Sequence, residues 1–422
     1  MRNTGRPYGH SQHHTSAKIS GIVLCVLFLL ACPASAQKAY KSIKTALNAK
    51  KYSDAVSQID KLRKDSDYAN DAKLYLLAIE ANRGLNDAQN MKLYLKQNYD
   101  TTAFFSTTYQ IVKNAVKIDS IENENKEKTA ANNKLTRIVS ETIHQYMPNI
   151  HAAGRYFYKK KKYKEALPYL RLCLELPHTA IGQKAKLPTH KDTLNAVLYL
   201  CSAYNVGDHA ETKRYASLAL LETTARPTVI ENLALTAKAE QDTATYRRWL
   251  TEGWQSYPNT PLFFTHLVDF YNENKQYDNT LRAAERQLQA DSLHTAAYLA
   301  KCVAYYEMQA YDSCIINADH ILLSDSTNAD AAYYKGAAYV GKVKQIVMPE
   351  KITSPQYKQA LNKRQKLYSQ AEPELERFRK LSPDAVQLWG PLLYQTYYAL
   401  NRGKKFAEIE SLLEKYSQST HQ

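Results

Sequence analysis

The chain has 422 residues, with 56 lysine and arginine side chains against 41 aspartate and glutamate side chains and a formal net charge of +15. Apolar residues make up 44% and charged residues 23%, which is ordinary for a packed protein and excludes a wholly disordered chain. Only 12 glycines and 14 prolines occur. This scarcity argues against a sheet protein with many tight turns and favours helices.

The first 36 residues have the pattern of a secretory leader. Basic residues without acidic ones precede an apolar run over residues 19–31, and an A-x-A cleavage site occupies residues 34–36. The apolar run is too short to span a bilayer, and no later segment is long enough. We therefore predict that residues 1–36 are a signal peptide and that the mature protein is exported, as a periplasmic protein of a bacterium.

A second interpretation of the leader stays open. The sequence Leu-Leu-Ala-Cys that ends at Cys32 resembles a bacterial lipobox. Lipid attachment at Cys32 would make the protein an outer-membrane lipoprotein. The complete A-x-A site favours cleavage after Ala36.

An internal period of 34 residues runs through the chain and is clearest between residues 261 and 340. A shift of 34 residues places Tyr271 on Tyr305 and Tyr305 on Tyr339, and it also places Ala284 on Ala318. The length and pattern resemble the tetratricopeptide repeat (TPR) family. This resemblance implies an all-α, right-handed superhelical solenoid of antiparallel helix pairs, an A and a B helix in each repeat. One pair cannot bury its apolar face alone, so neighbouring pairs stack.

Breaks in the period divide the chain into segments. A polar stretch rich in Glu, Lys and Asn separates two arrays, and two insertions interrupt the second one. We predict a signal peptide at 1–36, an N-terminal TPR-like helical array at 37–118, a polar helical connector at 119–145, a C-terminal TPR array at 146–416 with insertions at 178–192 and 340–367, and a tail at 417–422.

Sequence motifs of catalysis are missing. No H-E-x-x-H, no G-x-S-x-G and no zinc-type cysteine spacing occurs. The segment Gly336–Val343 is close to a phosphate-binding loop, but Val343 stands where that loop needs a serine or threonine. We therefore expect no enzyme, no metal and no cofactor. Nucleic acid is not expected as the partner of an exported chain, despite the positive charge.

Cys302 and Cys314 occupy two small-residue positions of one repeat. The TPR resemblance implies that these positions face each other across a helix pair. Export permits disulfides, so the two are a candidate pair. The alternative is a pair of buried free thiols that take the place of alanine.

TPR proteins typically bind their partners on the concave face of the A helices. Transferred to this sequence, the family's contact positions imply a partner-binding set at His151, Arg155, Tyr158, Lys159, Asp269, Asn272, Glu273, Tyr306 and Tyr333. Equivalent positions also hold Thr265, Leu299 and Glu307. In chain order, the set begins with mainly basic residues and continues with acidic and aromatic ones. For each residue alone, simple solvent exposure is the alternative.

These observations lead to a function hypothesis. We predict a non-enzymatic TPR scaffold or adaptor of the bacterial cell envelope that binds protein or peptide partners, with membrane attachment only through lipidation at Cys32. The alternative is an envelope protein that binds glycan or peptidoglycan, because exposed tyrosine rings can stack on sugars. A third option, the sensor portion of a signalling protein, is disfavoured because no transmembrane helix or effector domain was recognised.

Overall fold

The computed structural model describes residues 34–124, 130–190 and 192–420. These residues form α-helices and one short 3₁₀ turn at Leu176–His178, and they contain no strand. The α-helices, in chain order, are α1 (Ala34–Asn48), α2 (Tyr52–Leu62), α3 (Ala72–Tyr94), α4 (Thr101–Glu124), α5 (Ala130–Lys159), α6 (Tyr163–Glu175), α7 (Ala180–Lys184), α8 (Thr193–Asn205), α9 (His209–Arg214), α10 (Ala216–Ala219), α11 (Arg226–Ala239), α12 (Thr243–Ser256), α13 (Pro261–Glu273), α14 (Tyr277–Ala290), α15 (Thr295–Glu307), α16 (Tyr311–Ser324), α17 (Ala329–Lys344), α18 (Pro355–Leu381), α19 (Val386–Ala399) and α20 (Gly403–Thr420). The predicted all-α fold is confirmed.

The helices form two compact units. The first contains the described residues up to Ile150 together with Thr179–Leu187, and the second contains His151–His178 and the residues from Pro188 onward. Within the described residues, no helix is both long enough and apolar enough to cross a bilayer. The predicted leader lies outside the described residues except for 34–36, which begin α1.

In the first unit, α1, α2 and α3 enclose an apolar core that includes Ile43, Ile59 and Leu74. Polar side chains connect α3 to α4 and to α5. The side-chain amide of Asn86 on α3 donates to the carbonyl oxygen of Phe104 on α4 at 2.9 Å. A guanidinium nitrogen of Arg83 on α3 lies 2.7 Å from the hydroxyl oxygen of Thr142 on α5.

Residues 119–145, predicted as a polar connector, are not a separate element in the structure. Residues up to 124 complete α4, and residues from 130 begin α5. Val139, Ile143 and Ile150 are buried at helical spacing, so the second half of the segment packs into the first unit. The predicted tail differs too, because α20 continues to Thr420.

The helices of the second unit keep the predicted register. The A helices α13, α15 and α17 begin at residues 261, 295 and 329, and the B helices α12, α14 and α16 begin at 243, 277 and 311. Each step is the 34-residue period expected from the sequence. Sequential antiparallel pairs with this repeat length make a TPR-like fold.

Small residues allow close approach between these helices, as the repeat pattern predicts. A Cβ atom on Gly253 would lie 2.5 Å from a ring carbon of Phe263. One on Gly336 would lie 2.8 Å from the side chain of Leu375 and 3.2 Å from its backbone nitrogen. Gly336 is thus a packing residue on a helix, which agrees with the rejection of a phosphate-binding loop.

Three turns between A and B helices use left-handed backbone conformations at residues other than glycine. Gln241, Lys275 and Gln309 have φ values of 61°, 55° and 59° and follow α11, α13 and α15. In each turn the next amide bonds back to a helix carbonyl, as in Ala310 N–H to Tyr305 O at 2.8 Å. The small number of glycines correctly predicted a helical fold. It did not exclude tight turns, because other residues adopt the left-handed conformation here.

Both predicted insertions contain helix. The first, 178–192, includes α7, and its residues Ile181 and Leu187 are buried in the first unit. The second, 340–367, begins inside α17 and ends inside α18. Only residues 345–354 of it lie between the two helices.

Candidate partner-binding surface

The first four residues of the predicted set, His151, Arg155, Tyr158 and Lys159, all lie on α5. His151 Nδ1 is 3.0 Å from the side-chain nitrogen of Asn195, whose amide also bonds Asp192 Oδ2 at 2.7 Å. Burial lowers the pKa of His151, although Asp192 opposes this shift. The imidazole is therefore neutral near pH 7, and its Nδ1 accepts from Asn195. His151 thus joins α5 to the start of α8 and is not a free cation.

Tyr158 is half-buried beside the thiol of Cys201, and its ring lies 5.7 Å from that of Tyr163. Burial raises the pKa of Tyr158 to about 12, so the phenol stays neutral. Arg155 and Lys159 are exposed, and neither forms an ion pair with another described residue. Two of the four side chains are thus available to a partner, and the other two mainly hold helices together.

The acidic residues on α13 have different environments. The hydroxyl of Thr280, which is fully buried, donates to Asn272 Oδ1 at 2.6 Å, so Asn272 links its A helix to the B helix α14. Asp269 and Glu273 are exposed one turn apart. Burial, and then the charges of these two carboxylates, raise the pKa of Tyr246 to about 12.

Tyr306 directly precedes Glu307, the last residue of α15, and its ring belongs to a network of four tyrosine rings; we call these four tyrosines and Glu307 the tyrosine cluster. Its members are Tyr306, Glu307, Tyr311, Tyr333 and Tyr334. The ring centroids of Tyr306 lie 5.7 Å from those of both Tyr311 and Tyr334, and Tyr333 lies 5.1 Å from Tyr334. All three contacts are edge-to-face. The predicted residues Tyr306 and Tyr333, from adjacent repeats, therefore meet in one cluster.

The charge of the Glu307 carboxylate acts on all four phenols. Burial raises the pKa of Tyr306 to about 12, and neighbouring tyrosines and Glu307 add to the shift. Burial, followed by the charge of Glu307, also raises the pKa of Tyr311 and of Tyr333. Glu307 itself is exposed and forms no ion pair with a described residue. The cluster presents one unpaired negative charge among neutral hydroxyl groups and aromatic rings.

This arrangement suits a cationic group. A carboxylate at a helix C-terminus is disfavoured by the helix dipole, and a bound cation would relieve that repulsion. Lysine and arginine side chains also bind to aromatic faces and form charge-assisted hydrogen bonds with carboxylates. Tyr334 was not in the predicted set, since the family's contact positions do not include it. The position of Tyr334 directly after Tyr333 was the sequence feature that could have indicated its part in the cluster.

The cysteine pair lies as the repeat geometry predicts. Cys302 and Cys314 are both buried, and Cys302 Sγ is 3.6 Å from the carbonyl oxygen of Cys314. Contact with Cys314 and burial raise the pKa of the Cys302 thiol. The structure gives both as free thiols, so the disulfide stays a prediction. Peptide mass spectrometry without reduction would reject it by finding both thiols free in the exported protein.

The described part of the chain holds no group of three His, Cys, Asp or Glu side chains that could bind a metal ion. A shallow depression of about 610 Å³ lies between α12, α13 and α14. Arg247, Arg248 and Glu252 are among the residues that line it, and no residue of the tyrosine cluster is.

The sequence matches no protein-family model and no curated protein. Solved structures with similar folds exist. The MamA protein is 15% identical, with 46% of this chain and 96% of that chain covered and a TM-score of 0.34. The C-terminal part of a TPR repeat-containing protein from Cytophaga hutchinsonii is 10% identical, with 61% and 91% covered and a TM-score of 0.43. Yeast Tom70 is 12% identical, with 91% and 90% covered and a TM-score of 0.31.

These likenesses concern the fold alone. The TPR-like fold expected from the sequence is confirmed by the 34-residue register of the helix bounds.

Proposed function

We propose that this protein is a non-enzymatic scaffold that binds a basic segment of a protein partner at the tyrosine cluster. The observation that carries the proposal is the exposed carboxylate of Glu307, which forms no ion pair with a described residue and adjoins a network of four tyrosine rings. Lysine or arginine of a partner could pair with the carboxylate while its methylene groups lie against the rings. No covalent chemistry is required.

A peptide is favoured over a sugar as the ligand because of how the rings are arranged. Carbohydrate stacking needs an open aromatic face. Tyr306, Tyr333 and Tyr334 are half-buried and contact one another edge-to-face, which leaves limited open face. Tyr333 also packs on Phe378 at 5.1 Å. Glycan binding is therefore an outcome for the experiment to exclude.

Glu307→Gln tests this proposal. The change removes the charge and keeps the shape, so we expect binding to a lysine- and arginine-rich peptide to weaken about tenfold, the effect of losing one charge-assisted hydrogen bond. Fluorescence anisotropy with labelled basic, acidic and uncharged peptides measures it. Glu410→Gln, an exposed carboxylate on α20, is the matched control and should bind as the unchanged protein does.

Two results would contradict the proposal. One is equal binding of basic and acidic peptides, and the other is unchanged affinity for the basic peptide in Glu307→Gln. Binding of soluble glycans in place of peptides would support the alternative function. Thermal denaturation of the variant checks that it is folded.

We infer further that the scaffold acts in the bacterial envelope after export. The basic start, short apolar run and A-x-A site of residues 1–36 support this inference. We expect fractionation of cells that make a C-terminally tagged chain to place it in the periplasm, with Gln37 as its first residue. Recovery with the membrane, lost on Cys32→Ser, would support the lipoprotein alternative. Recovery of the uncleaved chain in the cytoplasm would overturn the inference.

A further inference from the structure

The second insertion forms a feature that the scaffold function does not use. We call residues 344–366, which comprise the end of α17, the following loop and the first part of α18, the insertion arm. The repeat register explains where it begins and ends. B helices α12, α14 and α16 have 14 residues each, whereas α18 has 27. Its last part, from Tyr368 to Leu381, supplies the length of an ordinary B helix.

Burial separates the two parts of α18. In the last part, Tyr368, Ala371 and Leu375 are buried in the core of the second unit. In the first part no residue from Pro355 to Lys366 is buried. Residues 355–367 span about 20 Å at the rise of an α-helix. The arm is therefore an addition to the array and contributes little to its core.

The arm carries concentrated positive charge. It holds one acidic residue, Glu350, and six basic ones, at Lys344, Lys351, Lys358, Lys363, Arg364 and Lys366. None of the six forms an ion pair with another described residue. The first turn of α18 contains no acidic residue. Lys358, close to the N-terminus of α18, is disfavoured by the helix dipole, so helix stability does not account for that cation.

Two aliphatic side chains project from the loop of the arm. Val347 is 88% exposed and Ile352 is 70% exposed, among the highest values of any large apolar residue described. Both lie between the lysines at the end of α17 and those of α18. Exposed aliphatic groups flanked by cations combine the two contributions that hold proteins on anionic bilayers.

We propose that the insertion arm binds the surface of a membrane that contains anionic phospholipids. The basic side chains contact lipid phosphates, and Val347 and Ile352 enter the boundary between headgroups and acyl chains. An acidic protein would also satisfy the charges. The bilayer is favoured because it needs no shaped cavity, and the described arm offers two exposed aliphatic side chains and a helix segment with no buried residue. This function is separate from peptide binding at the tyrosine cluster.

Sedimentation with vesicles tests the proposal. The probes are vesicles of phosphatidylcholine alone and of equal parts phosphatidylcholine and phosphatidylglycerol. The protein is the chain from Gln37 onward, which retains every described buried residue. We expect binding to the anionic vesicles only, and weaker binding as salt is added, because salt screens exposed charges.

Two variants separate the contributions. Lys363→Glu with Lys366→Glu should weaken binding at least about tenfold, since each cation near an anionic surface contributes to attraction. Val347→Ser with Ile352→Ser should weaken it several-fold at the same salt concentration. The matched control is Leu293→Ser with Leu323→Ser, which changes two equally exposed leucines beside acidic residues of the same unit and should bind like the unchanged chain.

Three outcomes would overturn the proposal. They are no binding to the anionic vesicles, equal binding to both kinds of vesicle, and unchanged binding in both arm variants. If vesicles do not bind but an acidic peptide does, and Lys363→Glu with Lys366→Glu abolishes that, the arm is a protein-binding surface. All arm residues changed are exposed, so folded variants are expected, and circular dichroism verifies this.

Discussion

Replacing Phe263 by alanine is expected to lower the free energy of unfolding of the second unit by about 3–5 kcal/mol, the range for a fully buried aromatic residue. Phe263 is 0% exposed and packs against Gly253 of the preceding helix. Its removal leaves a cavity between two repeats, which a glycine neighbour cannot fill. Urea unfolding followed by circular dichroism measures the change.

The loss of stability should also be confined to the repeats around Phe263. Repeats of this kind contact mainly their neighbours, so stability is distributed along the array. Hydrogen exchange should therefore accelerate in α12–α14 more than in α18–α20. Leu323→Ala, a change at an 85% exposed leucine, is the control and should stay within about 0.5 kcal/mol. A loss below 1 kcal/mol for Phe263→Ala would contradict the packing described.

The second large effect is expected for Lys335→Met. The Lys335 ammonium lies 2.8 Å from Asp319 Oδ1 and 2.7 Å from Glu374 Oε1, and the Glu374 side chain is only 9% exposed. Removing one member of a buried ion pair leaves its partner desolvated and costs about 3 kcal/mol. Arg377, at 2.9 Å from the other oxygen of Glu374, limits the loss. Urea unfolding measures this change as well.

Lys301 provides a matched control, since it stands 34 residues earlier in the same repeat position. Its partner Glu285 is 65% exposed at 3.5 Å. Lys301→Met should therefore cost less than about 1 kcal/mol. Adding Glu374→Leu to Lys335→Met should recover much of the loss, because no buried charge is then left unpaired. Equal losses at the two lysines, or no recovery, would show that burial of Glu374 is not the cause.

The fold was largely predictable because small residues recur with the 34-residue period. Buried small residues stand 34 apart, as in Ala284 and Ala318 or Cys302 and Gly336, and such pairs mark the register of A and B helices. The segment 119–145 was harder to interpret. Its polar residues concealed the buried stripe of Val139 and Ile143, which completes its helical spacing only beyond the predicted boundary.

The sequence could predict which residues share a helix face, but not which polar side chains they bond. Tyr306 and Tyr333 were expected on one face, and the structure brings them into one cluster. His151 and Asn272 were expected there as well, yet each bonds a side chain on another helix. Sequence spacing indicates which face a residue occupies. It does not indicate which polar partner the packed helices bring within 3 Å.

The turns between A and B helices have a practical consequence. The insertion arm occupies the place where the next such turn would stand, and the side-chain amide of Gln345 donates to the carbonyl of Gln309 in the neighbouring turn at 3.1 Å. The core packing of α18 nevertheless resumes at Tyr368. This edge of the second unit therefore tolerates added length without repacking. We expect a reporter peptide inserted at Lys275, in the equivalent turn after α13, to leave the packed faces unchanged.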